Sequence, residues 1–307
     1  MFVRNGLFGL ILLALLSSTS AFAIVGGGGV DANTTSSPWA GVGSVTLSGG
    51  QGSGALIGSQ YVLTAAHVVA GQSASAITFN LNVGGNLTQS IVAEAVTIHP
   101  SYTGTSPGLD GVWHDDLAII KLSSPVASGT PYYDLFGGDI TGSVMTLVGY
   151  GSGGDGINGV TTGASASVKR TGQNKADLLI ADDENSAIND VFVFDFDGAD
   201  SSTNVFGSNM ASNLALADEA QYAGSDSGSP VFVNDGGVWK IAGVGAFIGD
   251  TTASASDVHF GAIGGGMLLA PHLAWISAQV TPVPEPQVWV SLLVGLMLVG
   301  RAARRRR

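Results

Sequence analysis

Short apolar runs recur along the chain with glycine, serine and threonine between them. They cover residues 42–47, 55–57, 61–63, 77–83, 117–122, 144–148, 191–196, 231–233 and 238–244. Runs of this length, rich in β-branched residues and bounded by turn formers, predict strands. Their number and spacing predict an all-β sandwich or barrel. Helical periodicity emerges only over residues 268–280, where Leu269, Leu273, Trp275 and Ile276 would share one face. Residues 152–174 are rich in Gly, Ser and Thr and predict a long surface loop. The prolines at 125 and 131 mark a division of the chain into two halves.

Both ends depart from this pattern. Residues 1–23 have the order of a signal peptide: Arg4, an apolar stretch over 7–16, and Ala21-Phe22-Ala23 at the cleavage position. At the other end, Val283-Pro284-Glu285-Pro286 precedes an apolar run over 288–300 and five arginines between 301 and 307. That run would extend only ~20 Å as a helix, against a hydrocarbon core of ~30 Å. Snorkelling arginines would lengthen its reach and stay cytoplasmic. The tail resembles the PEP-CTERM sorting signal. The resemblance implies export, transient anchoring in the inner membrane, and handling by a signal peptidase and an exosortase-type enzyme, ending at the cell surface or outside it.

The 307 residues include 46 glycines and no cysteine. Thiol catalysis, Cys-type zinc sites and disulfides are thereby excluded, and an exported domain of this kind must be held by its core. The formal charge of −12 argues against nucleic acid as a partner. The arginines at the tail mask a stronger acidity. Residues 24–282 hold only Lys121, Lys169, Arg170, Lys175 and Lys240 against 22 acids, so 5 − 22 = −17. Such a charge favours solubility and is silent about fold.

Three motifs carry candidate chemistry. Leu63-Thr64-Ala65-Ala66-His67-Val68 presents a histidine where a strand ends. Asp116-Leu117-Ala118-Ile119-Ile120-Lys121-Leu122 opens an apolar strand with an acid, Asp115 being the neighbouring alternative. Gly224-Ser225-Asp226-Ser227-Gly228-Ser229-Pro230 sets a serine in a tight turn. Each is unremarkable alone. In the order His, Asp, Ser they match one arrangement of a nucleophile, its base and the base's orienting acid. An α/β-hydrolase is excluded, because Ser225 and Ser229 stand where its G-x-S-x-G motif needs glycine.

With its flanking residues the chain resembles the trypsin-like serine proteases over nearly all of residues 24–280. Ile24-Val25-Gly26-Gly27 resembles the family's activated N-terminus, and Ser53-Gly54-Ala55-Leu56-Ile57 the strand before the histidine motif. His99-Pro100-Ser101-Tyr102 resembles a segment upstream of the acid, with His99 structural. Val148-Gly149-Tyr150-Gly151 resembles the start of a second barrel. The resemblance implies two six-stranded antiparallel Greek-key barrels with a short C-terminal helix: residues 24–130 and 131–282, between the leader 1–23 and the sorting tail 283–307. It implies endopeptidase activity on a protein or peptide substrate through His67, Asp116 and Ser227, without a cofactor or metal. It also implies an oxyanion hole from the backbone N–H groups of Ser225 and Ser227, and an activating ion pair between the amine of Ile24 and Asp226. The specificity pocket would involve Gln221, Ala246, Ile248 and Asp257.

Two positions depart from the family. Ser225 stands where glycine is usual, and Ala246 where a serine often bonds the catalytic acid. They support a competing reading, an inactive homologue serving as a surface or matrix binding protein. The acids of Asp195-Phe196-Asp197-Gly198-Ala199-Asp200 read as a surface loop rather than a calcium site, and so do Asp182, Asp183 and Glu184.

Overall fold

The computed structural model describes residues 22–104, 112–184, 186–206, 214–249 and 258–280. The leader up to residue 21, the tail after 280, and Asp257 lie outside the described residues.

Strands β1 (Val42–Leu47), β2 (Gly50–Gly58), β3 (Tyr61–Thr64), β4 (Thr78–Leu81), β5 (Gln89–Ile98) and β6 (Ala118–Leu122) close into an antiparallel barrel of order β1-β2-β3-β6-β5-β4. Alternate side chains of these strands point inward. Val45, Leu56, Val62, Phe79, Leu81, Ile120 and Leu122 fill the interior with Ile77. Each such side chain contributes ~1.5–3 kcal/mol on burial, which is what holds a barrel without disulfides. Register shifts at Leu56/Gly58 and Ala93/Ala95 bend β2 and β5, as closure requires.

The second half is built from β7 (Val144–Gly149), β8 (Arg170–Lys175), β9 (Leu178–Ala181), β10 (Asn189–Asp195), β11 (Pro230–Asp235), β12 (Val238–Gly249) and β13 (Ile263–Leu268). They pair antiparallel in the order β9-β10-β13-β12-β11-β7-β8, and the short strand Gly29–Val30 adds an eighth member beside β8. The mostly-β architecture with one closed six-stranded barrel is consistent with the two-barrel fold, and the second half pairs as a ladder with extra strands at both ends.

A central cluster joins the halves. It includes Val42, Tyr61 and Leu63 from the first, and Phe232, Ile241, Val244 and Met267 from the second. Tyr133 meets Phe232 edge-on at 4.7 Å, and Trp39 lies 4.8 Å from Phe232. Ile276 joins the same cluster from the terminal helix α2 (Leu273–Gln279), so that helix docks across the junction. Helix α1 is the single turn Ala66–Val69 at the end of β3.

Three expectations need correction. Residues 152–174 are not one loop: Gly153–Asp155 pairs with Gly159–Thr162, and β8 begins at Arg170. The helical pattern began too early, since residue 268 ends β13 and a 3-10 turn, Ala270–His272, intervenes. Asp195 and Asp197 are not on a surface loop; they are only 2% and 5% exposed, because Asp195 closes β10 and its carboxylate accepts the Phe206 N–H.

Candidate functional site

The first barrel delivers an imidazole and a carboxylate. Thr64 at the end of β3 donates its hydroxyl to the Ser53 carbonyl of β2, fixing the strand end. Ala65 stays extended, with φ −77° and ψ 144°, and the chain then turns into α1. Ala65 and Ala66 are fully buried, so larger side chains would block this tight exit from the barrel. His67 follows on the turn. Its backbone N–H donates to Oδ1 of Asp116 at 2.8 Å, and its Nδ1 lies 2.5 Å from Oδ2. The carboxylate is 3% exposed and the imidazole 37%. Both carboxylate oxygens therefore orient one residue, and the ring keeps its outer face open.

Asp116 rather than Asp115 takes this place because the backbone turns sharply between them. Asp115 has φ +55°, and its carbonyl accepts the Leu117 N–H at 2.7 Å. Successive side chains consequently leave in different directions. His114 bonds Asp190 at 2.9 and 3.0 Å, Asp115 faces His99, and Asp116 faces His67. Tyr102 borders the pair, and burial followed by the Asp116 charge pushes its phenol up to about 12.

The second half delivers a hydroxyl on a braced turn. Asp226 N–H bonds the Ala223 carbonyl, Ser229 N–H the Asp226 carbonyl, and Gly228 N–H the Gly245 carbonyl of β12, all at 2.8–3.0 Å. Across the junction, Ser53 N–H bonds the Ser227 carbonyl at 2.8 Å. Gly228 has φ +83°, and a Cβ there would come 2.1 Å from Thr64 Oγ1 and 2.3 Å from the Ser53 carbonyl oxygen. The serine turn thus presses against the same β2–β3 edge that carries His67. Within this braced segment the N–H groups of Ser225 and Ser227 have no backbone acceptor among the described residues. Donors left free between engaged neighbours can donate to a developing oxyanion.

Ser225 has φ +74°, the left-handed region where glycine is at ease. The serine adopts the glycine-like conformation rather than abandoning it. Its side chain is half-exposed.

Two cavities share one wall. A cavity of about 140 Å³ is lined by Tyr222, Ala223, Gly224, Ser225, Ser227 and β12 residues Gly245–Ile248. The second, about 390 Å³, is lined by His67, Tyr102, Gly104, Trp113 and Asp116 opposite Ala246, Phe247 and Ile248. Ala246 and Ile248 line both. Gln221 lines neither: it is fully buried, donates to the Ala262 carbonyl at 3.2 Å and accepts the Tyr222 N–H at 2.7 Å. Phe247 also lines both, and sequence reasoning missed it because a strand of alternating faces gives no sign that its edge forms a wall.

Asp226 is buried behind the serine turn. Its Oδ1 accepts the Gly151 N–H at 2.8 Å and its Oδ2 the Ala223 N–H at 3.0 Å. Burial pushes this carboxyl up to about 7. The N–H groups of Ala223 and Gly151, the Arg170 guanidinium and the Ile24 amide all pull the other way. The Ile24 amide makes the smallest of these contributions. Ile24 itself is fully buried at φ +55°, an outlier for a β-branched residue. Arg170, opposite Gly149 in the β7–β8 ladder, bonds the Gly151 carbonyl at 3.2 Å. It is the cation beside this carboxylate, and only its scarcity in an acidic chain could have marked it in the sequence.

A family model described as Trypsin matches residues 26–260. Among curated proteins, pig (Sus scrofa) complement C1s subcomponent is 34% identical over 110 residues, which is 33% of this chain and 15% of that protein. The bovine (Bos taurus) complement C1s subcomponent is 36% identical over 103 residues, 31% of this chain and 13% of that protein. The matches therefore span about a seventh of those relatives' length.

Proposed function

Since the chain belongs to the trypsin family, we propose that it is an exported serine endopeptidase acting through His67, Asp116 and Ser227. What supports this reading is the His67–Asp116 pair on one side and, packed against the β2–β3 edge that leads to it, the Ser227 turn with two uncommitted N–H groups; His67 and Ser227 themselves share no hydrogen bond among the described residues.

The chemistry follows from these groups. The Ser227 hydroxyl is a weak nucleophile at neutral pH and needs a base. His67 accepts its proton as Oγ attacks the scissile carbonyl carbon. Asp116, bonded to Nδ1, fixes the tautomer that leaves Nε2 free and stabilises the imidazolium that forms. The N–H groups of Ser225 and Ser227 hold the oxyanion, a contribution of ~3 kcal/mol per donor in other enzymes. His67 then returns the proton to the leaving amine, and water repeats the sequence to release the acyl group.

The smaller cavity would accept the substrate side chain preceding the cut. Tyr222, Phe247 and Ile248 give it apolar walls, and no acid lines it among the described residues. A small apolar residue suits it better than lysine or arginine.

Cleavage after Ala23 would place an ammonium at Ile24, where an amide already contacts Asp226. It would also remove the φ constraint on that residue. Activation then needs no separate propeptide. N-terminal sequencing of the exported protein should begin at Ile24, and any other start removes this step. The leader, the PEP-CTERM-like tail and the two-barrel division at about residue 130 complete the proposal, with transient inner-membrane anchoring before processing.

A fluorophosphonate probe tests the activity. The protein starting at Ile24 should label at Ser227, and its Ser227→Ala variant should not. Absence of labelling in a folded protein would favour the inactive homologue, the reading to which Ala246 in place of a serine contributes.

A further inference from the structure

Behind the candidate triad, on the far side of the sharp turn at Asp115, lies a second cluster. Oδ1 of Asp115 is 3.0 Å from Nδ1 of His99 and 3.7 Å from Nδ1 of His272. The three ligand atoms all lie within 4.8 Å of one another. Asp115, Asp183 and Glu184 form a second, separate group whose carboxylate oxygens lie within 4.8 Å of one another.

Several features of this cluster are unexplained by the protein's own bonding. Two carboxylates in contact repel unless a proton or a cation lies between them. His272 Nε2 is sealed from solvent and has no hydrogen-bond partner among the described residues, a costly condition for a polar atom, and His99 Nδ1 meets only the Asp115 carboxylate. His272 is 7% exposed. The rings are held in place by packing: His99 lies edge-on to His272 at 4.8 Å and to Trp275 at 4.7 Å.

The spacing suits a small tetrahedral ion. Zinc bound at ~2.0–2.1 Å sets its ligand atoms ~3.3–3.4 Å apart, and 3.0 and 3.7 Å straddle that separation. Two imidazoles and a carboxylate are a borderline donor set. They suit Zn²⁺, Co²⁺ or Ni²⁺ rather than Ca²⁺, which takes oxygen alone. Asp183 and Glu184 are exposed, which gives the ion a way in.

We propose that His99, Asp115 and His272 bind a divalent transition-metal ion of the zinc class, with water in the remaining position. The ligands come from the end of β5, the turn before β6 and the turn before α2. The ion would staple the terminal helix to the first barrel and fix the backbone one residue from Asp116. Binding is measured without substrate, so this inference stands whether or not the chain is a peptidase.

The test uses the untagged full chain, stripped with a chelator and dialysed against Zn²⁺ or Co²⁺. One ion per chain, the visible absorption of four-coordinate Co²⁺ and a raised melting temperature are expected. His272→Gln and Asp115→Asn should each weaken binding by about tenfold or more, at least the loss seen when a mere outer partner is removed. His67→Ala should leave it unchanged. Retention in both ligand variants, loss in His67→Ala, or no binding at millimolar metal would overturn the site. Should the ligand variants not fold, X-ray absorption of the wild-type zinc protein decides. Two imidazoles in the shell support the site, and an all-oxygen shell refutes it.

Discussion

Ser225→Gly separates two accounts of the serine turn. Ser225 holds φ +74°, and the left-handed region costs a non-glycine residue ~1–2 kcal/mol. Its hydroxyl has no hydrogen-bond partner among the described residues, and the side chain is half-exposed, so truncation removes little else. Glycine loosens the unfolded chain, which returns ~0.4–1 kcal/mol of that gain. The net expectation is a stabilisation of ~0.5–1 kcal/mol, or a melting temperature higher by roughly 1–4 °C for a domain of this size. The N–H at this position already points as it would in glycine, so kcat/KM on a peptide substrate should change by less than about twofold, well under 1 kcal/mol of barrier. Thermal unfolding by circular dichroism and steady-state kinetics check both. A melting temperature unchanged or lowered would show that Ser225 carries no left-handed strain. A tenfold rise in kcat/KM would show that the serine turn is deformed in solution and that glycine repairs it.

Gly151→Ala places a Cβ 2.4 Å from Cγ of Asp226 and 2.6 Å from both of its oxygens; a loss above about 3 kcal/mol in urea unfolding is expected, and a neutral result would mean Asp226 does not lie there. Arg170→Met removes a cation beside Asp226, whose carboxyl burial holds near 7. The variant should be little affected at pH 5, where that carboxyl is protonated, and destabilised at pH 9 by about 1.4 kcal/mol for each unit its pKa rises; equal losses at both pH values would refute the coupling. Burial also raises Glu219 to about 8, Asp177 to about 7, and Asp190 and Asp197 to about 6. For a raised carboxyl the folded state holds its proton more tightly, so the stabilisation is complete below the unfolded value near 4 and is lost as pH climbs through 6–8. Asp139, Asp155 and Asp200, lowered by hydrogen bonds from Thr141, Asn158 and Ser202, act oppositely and lose their contribution on acidification. The melting temperature should peak near pH 4–5 and fall toward pH 9; a rise over that range would reverse the argument.

The parts of the fold that the sequence made legible are those where packing is done by apolar side chains. The run over 42–47 coincides with β1 because Val42 and Val45 are buried there. Strand β8 escaped notice because its inward positions are Arg170, Gly172 and Asn174. They face polar and crowded neighbours: Arg170 reaches toward Asp226, Asn174 bonds the Asp195 and Ala220 carbonyls, and Gly172 leaves no room for a Cβ beside Ala220. Strand β13 escaped because Gly264, Gly265 and Gly266 bring no side chains. Gln221, Phe247 and the Val244 backbone fill their places. For the candidate site, the sequence distinguished Asp116 from Asp115 by its place at the opening of a strand. The turn that separates their partners, with Asp115 at φ +55°, has no signature in residue type.

That turn ties the chemistry to the rest of the molecule. His114, Asp115 and Asp116 are all buried, and each is held by a different part of the chain: Asp190 on β10, His99 and His272 flanking the terminal helix, and His67 on α1. A buried polar group left without its partner costs ~1–3 kcal/mol, so none of the three rotates alone without that loss. The orientation of Asp116 is therefore set from both sides of the backbone, by His67 in front and by the partners of Asp115 behind. An ion at the proposed site would draw the Asp115 carboxylate and the two imidazoles into shared coordination. It would stiffen the rear support without touching the cleft. Its effect should then appear in the rate of the chemical step, through the geometry of the His67–Asp116 pair, and leave the apolar pocket at Phe247 and Ile248 unaltered.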